Sequence, residues 1–201
     1  MNQTIDISFN VQAVAPLSAD HSYQLFAAIL QCLPSAHETN GFGIHTLQGY
    51  QIGDRKVQLI KRSRLVIRTP TEHSTQWLAL AGKTLDIDGV KVQIGEPQML
   101  PLQPATALRS RLVTTKNCQD QERFATELRR QLDVLEVCKD VIVTIGKRCT
   151  LRIKGKVIIG YEVIIEGLTA DDSLSIQTTG LGGRRHLGCG IFVEYRQVET
   201  K

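Results

Sequence analysis

The histidines are the side chains of this sequence best suited to acid–base chemistry, because the imidazole titrates near neutral pH. No histidine is spaced from cysteines or carboxylates in a metal-binding pattern, so we predict neither a metal site nor a cofactor. His37 follows Pro34 in a polar segment, where an exposed ring could transfer protons. His45 is the alternative, within an extended apolar stretch, and the remaining histidines are His21, His73 and His186.

A glycine-rich stretch near the end of the chain indicates a second kind of chemistry, the binding of anions. It reads Gly-Leu-Gly-Gly-Arg-Arg-His-Leu-Gly-Cys-Gly over residues 180–190, so five of its eleven residues are glycine. Successive backbone amides in such a loop can form a concave anion site, and Arg184 and Arg185 would add charge-assisted hydrogen bonds to phosphate oxygens. The alternative is a simple turn with a bulge before a last strand. Neither a P-loop nor a dinucleotide-binding fingerprint is present.

Positive charge is concentrated in two further clusters, although the net charge is only +4. Six basic residues and no acidic residue lie from Arg55 to Arg68, and five basic residues and no acidic residue lie from Lys147 to Lys156. Together with the glycine-rich stretch, these clusters indicate a polyanionic partner. The alternative is that each cluster is only the solvated face of a strand.

The first half of the chain predicts elements that would carry His37 and the first basic cluster. Apolar residues alternate from Ile5 to Ala13, which predicts a half-buried strand. A helix follows, capped by Ser18 or Asp20, and Pro34 ends it. Its apolar stripe is Phe26, Ile29, Leu30 and Leu33. Extended segments, a short helix, an Asp88-Gly89 turn and a strand complete the half; their residues are 44–51, 57–60, 65–68, 73–81, 88–89 and 90–94.

The second half repeats this order after a stretch with three prolines. We interpret residues 97–104 as a Pro-rich linker between domains of residues 1–96 and 105–201. A helix beginning near Asp120 has Phe124, Leu128, Leu132 and Leu135 on one face. Strands are predicted at 107–114, 141–145, 151–153, 157–165 and 191–196, and a short helix at 170–179. The fold class predicted is therefore α+β, with two tandem ferredoxin-like (RRM-like) βαββαβ domains and antiparallel sheets.

Composition sets the broad class of the protein. The chain has 201 residues, of which 42% are hydrophobic, as expected for a folded protein with a real core. Apolar runs are too short to cross a membrane, and the first residues lack the pattern of a secretory signal. The five cysteines show no Cys-x-x-Cys spacing, so we expect free thiols in a reducing, cytoplasmic compartment.

The glycine-rich stretch also resembles a known family signature. The matching positions are Gly180, Gly182, Gly183, Gly188, Gly190 and Ile191. They are similar to the C-terminal signature of the CRISPR repeat-RNA processing endoribonucleases, which reads Gly-apolar-Gly, a few mostly basic residues, then Gly-x-Gly-apolar. Those enzymes belong to the repeat-associated RNA-binding superfamily with tandem ferredoxin-like folds. The predicted order of elements matches that architecture over nearly the whole chain.

The resemblance implies metal-independent cleavage of CRISPR precursor RNA. The ribose 2′-hydroxyl would attack the adjacent phosphate and leave 2′,3′-cyclic phosphate and 5′-hydroxyl ends. In the resembled family a histidine shortly after the first helix acts as general base or acid, which implies His37, with His45 as the competitor. A tyrosine of the first helix and a lysine beyond the histidine often assist there. Tyr23, near the helix start, and Lys56, the first lysine after His37, are the corresponding candidates.

The implied partner is CRISPR repeat RNA, in the form of a stem-loop, bound through its shape and phosphates. The candidate RNA-binding residues are Arg62, Arg64, Lys147, Arg148, Arg152, Lys154, Lys156, Gly182, Gly183, Arg184, Arg185 and His186. The enzyme would act alone, as a homodimer or within a CRISPR effector complex. A first alternative is a non-catalytic subunit of such a complex that holds the guide RNA. A second is a nucleotide- or small-molecule-binding protein with duplicated ferredoxin-like domains, which the basic clusters disfavour.

Overall fold

The computed structural model describes residues 3–116 and 118–196, which form two compact units. The described residues up to Pro101, together with residues 186–188, form the N-terminal unit. Those from Leu102 to Arg185, together with the described residues from Cys189 onwards, form the C-terminal unit. Residues 186–188, which the sequence prediction assigns to the second domain, therefore group with the first unit.

The elements of the N-terminal unit are, in chain order, β1 (Thr4–Ala13), β2 (Leu17–Ser18), α1 (Ser22–Cys32), a 3₁₀ turn (Pro34–His37), β3 (Gly43–Ile44), β4 (Tyr50–Gln51), β5 (Lys56–Gln58), β6 (Arg64–Pro70), a second 3₁₀ turn (Thr71–His73), α2 (Ser74–Leu78), β7 (Thr84–Ile87) and β8 (Val90–Pro101). Its main sheet is antiparallel, with five strands in the order β3-β6-β1-β8-β7. Strands β3, β6, β1 and β8 have the order of a ferredoxin-like sheet, and β2, β5 and β4 form a separate small sheet.

The core of this unit follows from the alternation in β1. Ile7, Phe9 and Val11 are buried on one face of the sheet, together with residues of α1 and with Trp77 of α2. Asp88 and Gly89 both have positive φ (54° and 83°) and join β7 to β8, which confirms the predicted hairpin turn.

The interpretation of residues 97–104 as a linker is wrong for residues 97–101, because β8 continues through them. Pro97 lies opposite Phe9, and Pro101 lies opposite Ile5 of β1. Strand β7 pairs with β8 only as far as Gln93, so the later part of β8 has no partner strand on that side. A proline, which lacks the N–H donor, is tolerated at such an edge.

The predicted cap of α1 is also wrong. The N-cap position is His21, and no side chain caps the helix. Ser18 belongs instead to β2, where it lies opposite Lys56, and the Ser18 hydroxyl accepts a hydrogen bond from the Asp20 amide at 3.2 Å. Pairing within the small sheet therefore determines the conformation of the segment that the pattern assigned to a cap.

The elements of the C-terminal unit are β9 (Ala107–Val113), α3 (Gln121–Val134), β10 (Ile142–Ile153), β11 (Lys156–Glu166), α4 (Ala170–Thr179) and β12 (Val193–Glu194). Its four-stranded antiparallel sheet has the order β10-β11-β9-β12, again that of a ferredoxin-like fold. Helix α3 begins after Asp120, which confirms the predicted start, and the Asp120 carboxylate caps the helix by accepting from the amides of Glu122 and Arg123. Phe124 and Leu128 of that helix are buried in the core.

Two strands of this unit differ from the prediction. The segments predicted at 141–145 and 151–153 form one strand, β10, because the pairing with β11 resumes at Arg148 after a bulge between Ile145 and Arg148. The last strand is only Val193–Glu194, while Ile191 and Phe192 before it are buried. No helix of the described chain is long and apolar enough to cross a membrane. All five cysteines are free thiols.

Candidate functional site

His37 is the last residue of the 3₁₀ turn that directly follows α1. Proline at position 34 ends the helix, and the buried side chain of Ala36 anchors the turn to the core. His37 itself is exposed, and among the described residues its imidazole makes no hydrogen bond or ion pair. The ring is therefore accessible to a ligand in solution.

His45 has a different environment, at the edge of the sheet next to β3. Its backbone N–H donates to the Val66 carbonyl at 2.9 Å, and its Nε2 lies 4.0 Å from Asp6 Oδ1. The Asp6 carboxylate also accepts two hydrogen bonds from Arg68, from Nε at 2.8 Å and from Nη2 at 2.9 Å. Since Arg68 is only 1% exposed, His45 lies beside a mostly buried ion pair of the sheet.

The two other predicted catalytic residues lie on separate elements of the same unit. Tyr23 is half-buried on the first turn of α1. Lys56 is exposed at the start of β5, in the small sheet. Tyr23, Lys56 and His37 therefore lie on three different elements. Among the described residues, no group of three or more His, Cys, Asp or Glu side chains could hold a metal ion.

The first basic cluster is only partly available to a ligand. Arg68 is buried against Asp6, and Arg55 Nη2 pairs with Asp20 Oδ2 at 2.9 Å. Arg64 Nη1 donates to the carbonyls of Lys61 and Ser63, at 2.9 and 2.8 Å. Arg62 is exposed in the turn before β6, and a groove of about 680 Å³ at this place is lined by Lys61, Arg62, Arg64 and residues 10–13 and 59–60.

The second basic cluster lies on the hairpin formed by β10 and β11. Lys154 and Gly155 make its two-residue turn, both with positive φ (47° and 78°). All five basic side chains of the cluster belong to exposed residues: Lys147, Arg148, Arg152, Lys154 and Lys156. This hairpin is the largest exposed group of the predicted RNA-binding residues.

The glycine-rich loop is packed more closely than its spacing predicts. The Gly182 amide donates to Gln131 Oε1 at 2.6 Å, and the Gly183 amide donates to the Thr114 carbonyl at 2.9 Å. These amides are therefore not available to form the concave anion site that the sequence predicts. Arg184, with φ of 61°, is exposed, so the loop presents a charged side chain to solvent.

The residues after Arg184 differ in their surroundings. Arg185 is half-buried, and so is His186. The His186 ring packs against Phe26 of α1, with centroids 4.8 Å apart and planes tilted by 47°. This contact indicates a packing role for His186 in the N-terminal unit.

Sequence reasoning does not single out Gln131, whose side chain bonds the glycine-rich loop. A glutamine in the middle of an amphipathic helix has no spacing or charge that distinguishes it from a solvated neighbour. Only the tertiary structure shows that its amide reaches Gly182.

Comparison with known proteins agrees with this architecture. A solved structure described as "CRISPR associated protein Cas6" superimposes with a TM-score of 0.68 at 15% identity, over 96% of this chain and 100% of that one. Another, "An RAMP protein binding different RNA substrates", gives a TM-score of 0.70 at 13% identity, over 94% and 98%. At these identities the likeness concerns the fold, and it confirms the predicted class of tandem ferredoxin-like proteins.

Sequence comparison narrows this class to one family. The sequence model of the family described as "Cas6 Crispr" matches residues 5–197. The CRISPR-associated endonuclease Cas6 of Myxococcus xanthus (strain DK1622) is 35% identical over 189 residues, which cover 94% of this chain and 80% of that protein. The chain belongs to the Cas6 family of CRISPR-associated endonucleases, as its glycine-rich signature predicts.

Proposed function

We propose that this chain binds CRISPR repeat RNA and cleaves precursor crRNA without a metal ion, by attack of a ribose 2′-hydroxyl. Membership of the Cas6 family is the observation that carries the proposal. The 35% identical relative is named as an endonuclease, and a protein of the same fold is described as binding RNA substrates. Cleavage would leave a 2′,3′-cyclic phosphate and a 5′-hydroxyl.

His37 is the proposed general acid or base of this reaction. A base must remove the proton of the 2′-hydroxyl, and an acid must protonate the leaving 5′-oxygen. The exposure of His37 supports this role, because an RNA strand can approach the ring from solvent. His45 is the weaker candidate, since its ring lies 4.0 Å from the carboxylate that also binds the buried Arg68. Tyr23 and Lys56 stay predictions for the supporting groups.

The exposed cations are the proposed contacts to the RNA backbone. Positive side chains on the hairpin of β10 and β11 and on the glycine-rich loop would bind phosphates and neutralise the charge of the duplex stem. The exposed residues proposed are Arg62, Lys147, Arg148, Arg152, Lys154, Lys156 and Arg184, and the half-buried Arg185 of the loop stays a prediction.

The experiment compares His37→Ala with a matched control, His73→Ala. His73 also ends a 3₁₀ turn of the N-terminal unit, and its side chain is 38% exposed. Labelled repeat RNA is incubated in EDTA, and product ends are identified by mass spectrometry. We expect the native chain and His73→Ala to cut once, and His37→Ala to bind normally but cleave about 10²- to 10⁴-fold more slowly.

Three outcomes would change the proposal. Full activity of His37→Ala would contradict its catalytic role and make His45→Ala the next variant. Loss of RNA binding in His37→Ala would assign the residue to RNA recognition instead of chemistry. Tight binding without cleavage by the native chain would favour a guide-RNA-holding subunit of an effector complex.

A further inference from the structure

The C-terminal unit contains a groove of about 540 Å³ between α3, the end of β9 and the glycine-rich loop. Its lining includes charged and polar side chains and part of the glycine-rich loop, among them Lys116, Glu127, Arg130, Gln131, Gly183 and Arg184. The groove therefore lies within one unit and is distinct from the basic hairpin of β10 and β11.

The charge of this groove is positive. Lys116, Arg130 and Arg184 are exposed cations along its walls. The acidic residue of the lining, Glu127, accepts hydrogen bonds from Arg130 Nε and Nη2, at 2.9 and 2.7 Å, and from Gln131 Nε2 at 2.7 Å. These hydrogen bonds, that of Arg130 foremost, lower the pKa of Glu127 to about 2. The carboxylate is thus ionised and paired at neutral pH, and an excess of positive charge is left for a ligand.

The wall formed by the loop is held in place from two sides. Gln131 bridges α3 and the loop, since its Nε2 donates to Glu127 and its Oε1 accepts from the Gly182 amide at 2.6 Å. The Gly183 amide donates to the carbonyl of Thr114, the residue directly after β9. A groove whose walls are already ordered avoids much of the entropic cost of binding.

We propose that this groove is a phosphate-binding subsite for the RNA backbone, formed by the side chains of Lys116, Arg130 and Arg184. Gln131 is the positioning residue that keeps the loop wall beside them. The inference rests on the proposed function and adds Lys116 and Arg130 to the residues that contact RNA. Because the contacts are to phosphates, the subsite contributes affinity without reading the base sequence.

The first test measures the affinity and its salt dependence for the native chain and for Lys116→Ala. The probe is a fluorescent repeat RNA with a 2′-O-methyl group on every ribose, which removes the 2′-hydroxyl nucleophile. Loss of one phosphate contact should make the negative slope of log association constant against log salt concentration shallower by about 0.7 to 0.9. It should also weaken binding about fivefold near 0.15 M salt. Lys139→Ala is the control, an exposed lysine of the same unit after α3 that does not line the groove, and should change neither value.

A second variant, Gln131→Leu, tests the positioning role at a similar side-chain volume. We expect a larger Kd for the same 2′-O-methyl RNA and a native circular dichroism spectrum. The single-turnover cleavage rate at saturating unmodified RNA should be unchanged. If the cleavage rate at saturating RNA falls by the same factor as the affinity for RNA, the positioning role is overturned.

Failure of the subsite can be told apart from failure of the proposed function. If the native chain binds repeat RNA and Lys116→Ala binds it with the same affinity and the same salt slope, the subsite is overturned and the function stands. If the native chain does not bind repeat RNA, both are overturned.

Discussion

The change of Gly182 to alanine tests the close packing of the glycine-rich loop. Gly182 has φ of 76°, a left-handed conformation that costs an L-residue about 1–2 kcal/mol. A Cβ added there would also lie 2.5 Å from the Thr114 carbonyl oxygen and 3.0 Å from Val113 Cγ1. Both distances are shorter than ordinary van der Waals contacts, so the loop has to move away from β9.

The size of the effect follows from the bonds that such a movement weakens. They are the hydrogen bonds of the Gly182 amide to Gln131 and of the Gly183 amide to Thr114. Each contributes about 0.5–1.5 kcal/mol net. Together with the backbone conformation, Gly182→Ala should lower the free energy of unfolding by about 2–5 kcal/mol.

Gly167→Ala is the matched control. Gly167 lies in the same unit with φ of 78°, and no atom lies within 4 Å of an added Cβ. This variant therefore has the cost of the left-handed backbone conformation without a steric clash of the added Cβ. We expect its free energy of unfolding to fall by about 1–2 kcal/mol.

The assay is equilibrium unfolding in urea, followed by far-ultraviolet circular dichroism. Fluorescence of Trp77, the single tryptophan, reports on the N-terminal unit and identifies its transition. Gly182→Ala should be less stable than Gly167→Ala by about 1–3 kcal/mol. Equal destabilisation of the two variants would refute the reasoning, because only the backbone term would then be present.

Two further predictions concern the ionic groups. Asp6→Ala removes both hydrogen bonds between Asp6 and the buried Arg68, and should lower stability by about 3–5 kcal/mol in urea unfolding followed by Trp77 fluorescence. Asp6→Asn retains an acceptor oxygen, so its free energy of unfolding should fall by less than that of Asp6→Ala. Equal losses of stability in the two variants would contradict the ion-pair reasoning. For Glu127, hydrogen bonds from Arg130 and Gln131 lower the pKa from 4.5 to about 2 in the folded state. This stabilisation is complete above the pKa that Glu127 has in the unfolded chain, and it is lost as the pH falls toward 2. The urea midpoint of Glu127→Gln should therefore fall less between pH ~6 and pH ~2 than the urea midpoint of the native chain. An identical pH dependence would contradict the assignment.

Local signals were sufficient to predict most of the secondary structure. The alternation of Ile7, Phe9 and Val11 predicts β1 and its buried face, because the period of two is a property of the strand itself. Asp120 predicts the start of α3 because its carboxylate bonds amides only two and three residues away. Pro34 likewise sets the end of α1 and the position of His37 after it.

The sequence by itself therefore determined the main βαββαβ order of each half, the ferredoxin-like class and the family signature, all of which depend on neighbouring residues. Only the tertiary structure decided which charged side chains are accessible to a ligand and which amides of the glycine-rich loop are already hydrogen-bonded. Arg68 is buried because Asp6, sixty-two positions away, lies opposite it in the sheet. The Gly182 amide is engaged because α3 brings Gln131 to it. Such contacts depend on the packing of distant segments, and no local pattern in the chain encodes them.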